Sequence, residues 1–173
     1  MTLERRGLIS FDGEDQTIVG PDIVPGQTAP DFVAIAQDWT ERNPLQETAG
    51  KIRILAAVPS LDTSVCDRET KRFNEEAVAL GEDVNIFVIS MDLPFAQKRW
   101  CGANGVDRVD TLSDHLMADF GSKYGTLIKE KRILRRAVFV VDRDDKVVYA
   151  EYLPVLGEEP DYDAVLTAAR EAL

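Results

Sequence analysis

Two runs of strand-forming residues, Lys51–Val58 and Val84–Met91, bracket a stretch, Glu69–Leu80, whose apolar positions recur at helical spacing. That strand–helix–strand order constrains the fold more than any other feature. Cys66, Phe73, Ala77 and Leu80 fall on one helical face, and Pro59 ends the first run. A second unit lies near the C-terminus. Arg136–Val141 and Lys146–Ala150 flank a turn at Asp142–Asp145 and read as a hairpin, and Asp161–Leu173 reads as a helix behind Pro160. Between the two units, Leu93–Trp100 is expected to form a short helix with Asp92 as N-cap, Pro94 in its first turn and Gly102 just past its end. Asp114–Tyr124 is expected to form another helix, stopped by Gly125. Upstream, Asp31–Ile35 alternates like a strand, and Leu8–Phe11, Asp12-Gly13 and Thr17–Val19 suggest a small hairpin within residues 1–20. Alternating strands and helices argue for an α/β layer structure. A βαβ unit followed by a ββα unit fits a thioredoxin-like sheet with an N-terminal β-hairpin, although periodicity alone does not separate that sheet from other α/β arrangements. The length of 173 residues suits one domain, 1–173.

Several function classes are argued against. A net charge of −11 disfavours nucleic acid and anionic membrane surfaces as partners. The longest apolar runs, such as Ile54–Val58, span five residues, whereas a membrane helix needs about 20. Met1–Arg6 leads into no apolar stretch, so a secretory signal is not expected and the cytoplasm is the expected location. Two cysteines and one histidine, His115, are too few for the usual zinc site. No phosphate-binding glycine loop of the usual kinds is present. No metal or cofactor is therefore expected, and His115 is given no role.

Cys66 follows a buried strand and opens an amphipathic helix. With Thr63 or Ser64 as N-cap it sits in the first helical turn. There, free N–H groups and the positive end of the helix dipole stabilise an anion, and the thiolate is the reactive form of cysteine. Arg68 and Arg72 are near in sequence. The bland alternative is a small buried hydrophobe at a helix start.

The run Pro59-x-x-x-Thr63-x-x-Cys66 resembles the active-site pattern of the peroxiredoxin family. The fuller string Pro59–Cys66, followed by Arg72-Phe73-Asn74, is similar to the bacterial thiol peroxidase subgroup. So is Ser90–Gln97 leading into Arg99-Trp100-Cys101-Gly102. The likeness runs from the N-terminal hairpin to Glu159–Tyr162, and Ser64 departs from it where the subgroup often has Gly or Pro.

The resemblance implies that Cys66 is the peroxidatic nucleophile. Thr63 would hydrogen-bond the peroxide and thiolate, and Pro59 would shield the sulfur. Arg136 matches the pocket arginine, and strand alternation would send its neighbour Arg135 to the opposite face. Cys101 matches the resolving cysteine, which condenses with the Cys66 sulfenic acid to form an intramolecular disulfide. Such a second thiol also limits irreversible over-oxidation. A permanent structural disulfide is the competing reading, and a reducing compartment argues against it. Cys101 lies beside Gly102, Asn104 and Gly105, in a segment expected to open at low cost. Leu93, Pro94, Phe95 and Trp100 are candidates for an apolar rim that would favour organic hydroperoxides over hydrogen peroxide, with ordinary packing as the alternative. The resemblance also implies thioredoxin as reductant and a homodimer. A thiol–disulfide oxidoreductase or a redox-sensing binding protein on the same fold is the alternative, and the former would be expected to carry the Cys-x-x-Cys that this chain lacks.

Overall fold

The computed structural model describes residues 1–173. Its N-terminus is a hairpin of β1 (Glu4–Phe11) and β2 (Glu14–Val19). Asp12 and Gly13 turn it, both with positive φ, the geometry that suits a two-residue hairpin loop. The hairpin is not a free extension. It forms one four-stranded sheet with β8 (Leu127–Ile128) and β9 (Ile133–Leu134), two short strands that the sequence pattern does not reveal. Gly20 and Gly125 allow the seam to close. A Cβ on Gly20 would lie 1.8 Å from the Ser122 carbonyl oxygen, and one on Gly125 2.3 Å from that of Pro21.

The main sheet has seven strands in the order β11-β10-β5-β6-β7-β3-β4. At its centre β5 (Ile52–Ala57) runs parallel to β6 (Val84–Ser90), joined by helix α2 (Ser64–Leu80). The predicted hairpin is β10 (Ala137–Val141) and β11 (Val147–Tyr152), antiparallel to each other, with β10 also antiparallel to β5. The closing helix α5 is Tyr162–Glu171, capped by Asp161. These elements make the expected βαβ and ββα units.

Elsewhere the structure corrects the sequence reading. Asp31–Ile35 contributes only β3 (Ala34–Ile35), which pairs with β4 (Glu41–Arg42) ahead of a one-turn helix α1 (Pro44–Glu47). The Leu93–Trp100 helix is longer: α3 spans Pro94–Asn104 and ends at Gly105 with positive φ, so Cys101 and Gly102 lie within it. The Asp114–Tyr124 helix shrinks to α4 (Asp119–Lys123), and the residues before it form β7 (Asp110–Ser113), parallel to β6. Asp114 is the physical reason. Its buried carboxylate accepts from the N–H groups of Phe120 and Gly121 at 3.1 and 2.8 Å, so it serves the start of α4 from outside the helix.

Apolar residues pack on both faces of the sheet. Leu55, Ala57, Ala137, Phe139 and Val141 join one cluster. Ile52, Ile54, Ala56, Val138 and Val140 join the other, together with Cys66, Phe73, Trp100 and Cys101. The period of two along each strand assigns the faces. Both cysteines therefore sit on the α2 side of the sheet.

Candidate active site

Pro59 is buried just beyond β5, where the chain leaves the sheet. The following loop delivers α2. Of the two candidate caps it is Thr63 that has extended backbone and serves: its Oγ1 accepts from the Cys66 N–H at 3.4 Å and donates to the Ser60 carbonyl at 3.1 Å. Cys66 is the third residue of α2, fully buried, with a free thiol. Its backbone carbonyl accepts from the Thr70 hydroxyl at 2.8 Å.

Arg136 precedes β10 and shares the face of Val138 and Val140. Its Nη2 donates to Cys66 Sγ and to the Leu156 carbonyl, both at 3.1 Å. Arg135 points to the other side of the sheet, as alternation requires. It donates to the Gly125 carbonyl, pairs with Asp22 and lies 4.2 Å from the Tyr152 ring centroid. Arg68 and Arg72 do not reach the thiol. Arg68 lies 3.7 Å from Glu159, while Arg72 pairs with Glu76 and covers the Tyr162 ring.

Glu69 is a site residue that sequence reasoning missed. It pairs with Nη1 of Arg136, and both side chains are buried. The signal was present: Glu69 lies three residues after Cys66 and four before Phe73, a carboxylate on the apolar face of α2. Burial pushes its carboxyl up to about 7 against the pull of Arg136. Burial also acts to lower Arg136, but Glu69 and the Cys66 sulfur outweigh it and raise that group. The two directions do not describe a simple ion pair. Guanidinium holds its proton across the accessible pH range, so the carboxyl is the member that titrates. Nε of Arg136 and Oε1 of Glu69 have no protein partner, which leaves a donor and an acceptor unspent within the buried pair.

Cys101 opens the last turn of α3, buried and with a free thiol. Its Sγ lies 3.6 Å from Thr111 Oγ1, which accepts from Gln37 Nε2 at 2.6 Å. Burial pushes the Cys101 thiol up, and these two hydrogen-bonding groups oppose it. The packed position therefore favours the protonated, less nucleophilic form.

Asp92 is not the expected cap of α3, whose N-cap is Leu93 with no side-chain bond. Its carboxylate instead accepts from the Ser60 hydroxyl at 2.7 Å, the Leu61 N–H at 2.8 Å and the Ser90 hydroxyl at 2.8 Å. Among the expected rim residues, Leu93 and Phe95 are exposed, whereas Pro94 and Trp100 are buried and belong to the packing of α3. Phe95 packs at a tilt against the exposed Trp39, ring centroids 5.0 Å apart, and Trp39 meets His115 edge-on at 5.6 Å.

This arrangement can hold a sulfur anion against a fixed cationic donor at a helix start, with a second thiol on the same side of the sheet. Comparison with known proteins agrees. The Redoxin family model matches residues 24–166. A thiol peroxidase of Oceanobacillus iheyensis is 54% identical over 92% of this chain and 96% of its own length. That of Bacillus subtilis is 50% identical over 94% and 96%. A peroxiredoxin-like protein from Aquifex aeolicus, known from its crystal structure, superposes with a TM-score of 0.86 over 99% of both chains at 39% identity. The chain belongs to the Redoxin family.

Proposed function

We propose that this member of the Redoxin family is a thiol peroxidase that reduces hydrogen peroxide and organic hydroperoxides through Cys66 and resolves the product through Cys101. The observation that carries the reading is the Arg136 Nη2 donor 3.1 Å from Cys66 Sγ in the first turn of α2. The Cys66 thiolate attacks one peroxide oxygen. An S–O bond forms, the O–O bond breaks, and the departing oxygen takes a proton to leave as water or alcohol. Cys66 is then a sulfenic acid. Arg136 offers a preorganised donor where negative charge develops on the leaving oxygen, Thr63 holds the helix start and orients the peroxide, and Pro59 shields the sulfur.

In the second step the Cys101 thiol loses its proton, its sulfur displaces hydroxide from the Cys66 sulfenic acid, and water leaves as the disulfide forms. Both cysteines begin inside helices, and a disulfide needs Cα atoms about 4.4–6.8 Å apart, so local release of α3 precedes bond formation. The uncapped N-terminus of α3 and the glycines of its C-terminal turn favour that release. A thioredoxin-type dithiol supplies two electrons to reopen the disulfide. The chain acts as one domain, 1–173, in the cytoplasm, where such reductants operate. No helix is long and apolar enough to cross a membrane.

An assay with thioredoxin, its reductase and NADPH tests this reading. Wild type is expected to consume hydrogen peroxide and alkyl hydroperoxides, and one equivalent of peroxide is expected to join Cys66 to Cys101. Cys66→Ser should abolish turnover and disulfide alike, and a Cys66→Ser protein with wild-type activity refutes the reading.

The homodimer is part of the same proposal. Trp39, Leu93, Phe95, Leu116 and Met117 are exposed apolar side chains; Trp39 contacts Phe95 and His115, and the other three lie within two residues of these in the chain. Such patches mark protein contacts. Phe95→Glu is expected to convert a dimer to a monomer in analytical ultracentrifugation, and an unchanged sedimentation coefficient would place the contact elsewhere.

A further inference from the structure

Both cysteine-bearing segments converge on one carboxylate. On one side, Asp92 accepts from Ser60 and Leu61, the residues that follow Pro59. The Ser60 carbonyl accepts from the Thr63 N–H and hydroxyl, each at 3.1 Å, and Thr63 caps the Cys66 amide. The carboxylate thus reaches Cys66 through a short chain of hydrogen bonds. On the other side, Asp92 accepts from Ser90, whose Oγ accepts from Gln97 Nε2 at 3.1 Å. Gln97 belongs to α3, four residues and about one turn before Cys101. Its second amide hydrogen serves the Leu112 carbonyl at 2.9 Å.

Two features set this network apart from ordinary packing. Gln97 is fully buried and its Oε1 has no partner, an unfavourable placement that no contact with either sulfur explains. Asp92 stands next to the N-cap of α3, yet its carboxylate does not cap the helix and reaches across to the Cys66 loop. Unwinding of α3 as far as its first turn must move Asp92.

We propose that Asp92, with Ser90 and Gln97, is a positioning unit that makes the Cys66 loop and the Cys101 helix loosen together. This rests on the reading that Cys101 resolves Cys66. With the network closed, Thr63 and Arg136 hold Cys66 for attack on peroxide while Cys101 is shielded. With it open, the sulfenic acid and Cys101 are released in one event. The unit sets how the chain divides its time between a peroxide-reactive and a resolving form.

Rapid mixing of reduced protein with one equivalent of hydrogen peroxide, without reductant, tests the coupling. Quenched-flow mass spectrometry follows Cys66 oxidation and then disulfide formation, and in a Trp39→Phe background the fluorescence of Trp100, beside Cys101, reports release of α3. Asp92→Asn weakens charge-assisted bonds, so Cys66 oxidation should slow about tenfold and disulfide formation accelerate about tenfold. Gln97→Leu should move both steps in the same directions although Gln97 does not touch the Cys66 loop. The double variant should do no more than Asp92→Asn alone, because members of one network are not additive. Ser60→Ala removes one edge bond, keeps the carboxylate, and should shift both steps about threefold, so the test survives a poorly folding Asp92 variant. A purely structural role would lower the unfolding temperature and leave the ratio of the two rates unchanged. Gln97→Leu with Cys66 oxidation within about twofold of wild type, or additive effects in the double variant, overturns the coupling alone. A wild-type protein that forms no Cys66–Cys101 bond removes the underlying reading and the coupling together.

Discussion

Arg136→Met is expected to slow oxidation of Cys66 by hydroperoxide about 100- to 1000-fold, the usual cost of removing one preorganised donor from a developing oxyanion. Methionine fills much of the space but cannot donate to Cys66 Sγ or to the leaving oxygen. It also strips Glu69 of its only hydrogen-bond partner in a fully buried position. Breaking a buried pair from one side costs about 3–5 kcal/mol, and protonation of the Glu69 carboxyl, whose pKa burial raises, relieves part of that charge penalty. The two effects separate in a second variant. Arg136→Met with Glu69→Gln should recover much of the lost stability in thermal unfolding and none of the lost rate in stopped-flow oxidation. A single Arg136→Met variant that oxidises at the wild-type rate would assign that arginine to the fold alone.

Cys101→Ser should split the cycle at its midpoint. Serine is close in size, and Thr111 beside it can hydrogen-bond the new hydroxyl, so α3 should stay packed. Cys66 should still react with the first equivalent of peroxide. No thiol then arrives to condense with the sulfenic acid, and thioredoxin-dependent turnover should stop after that equivalent. Excess peroxide should carry Cys66 onward to sulfinic acid, visible as two added oxygens in intact-mass spectra. Continued turnover by Cys101→Ser at the wild-type rate would mean that the reductant attacks the sulfenic acid directly.

Much of this site was legible because its rules are local. Thr63 and Ser64 both lie within one turn before Cys66, so a cap at either puts the thiol in the first turn, and the structure selects Thr63. Arg135 and Arg136 are adjacent, and the two-residue period of a strand sends them to opposite faces whatever the sheet does around them. Glu69 was half legible: its place on an apolar helix face was readable, but its partner lies 67 positions away. Gln37 and Thr111 beside Cys101 carried no local signal, since they meet only when β3 and β7 are brought together.

Cys66 at a strand-to-helix junction, the βαβ and ββα order and the face each strand residue takes were determined by the sequence itself, because helix capping and side-chain periodicity act over a few residues. The direction of the Asp92 carboxylate, the ion pair that holds Arg136 and the strand at Asp110–Ser113 were decided only by the tertiary structure. Each depends on a partner distant in the chain. Asp92 had a cap position of its own beside α3, and three donors from the Cys66 loop and β6 drew its carboxylate away from it. Thr111–Ser113 paired with β6 because that edge of the sheet offered a parallel ladder beside a buried apolar face.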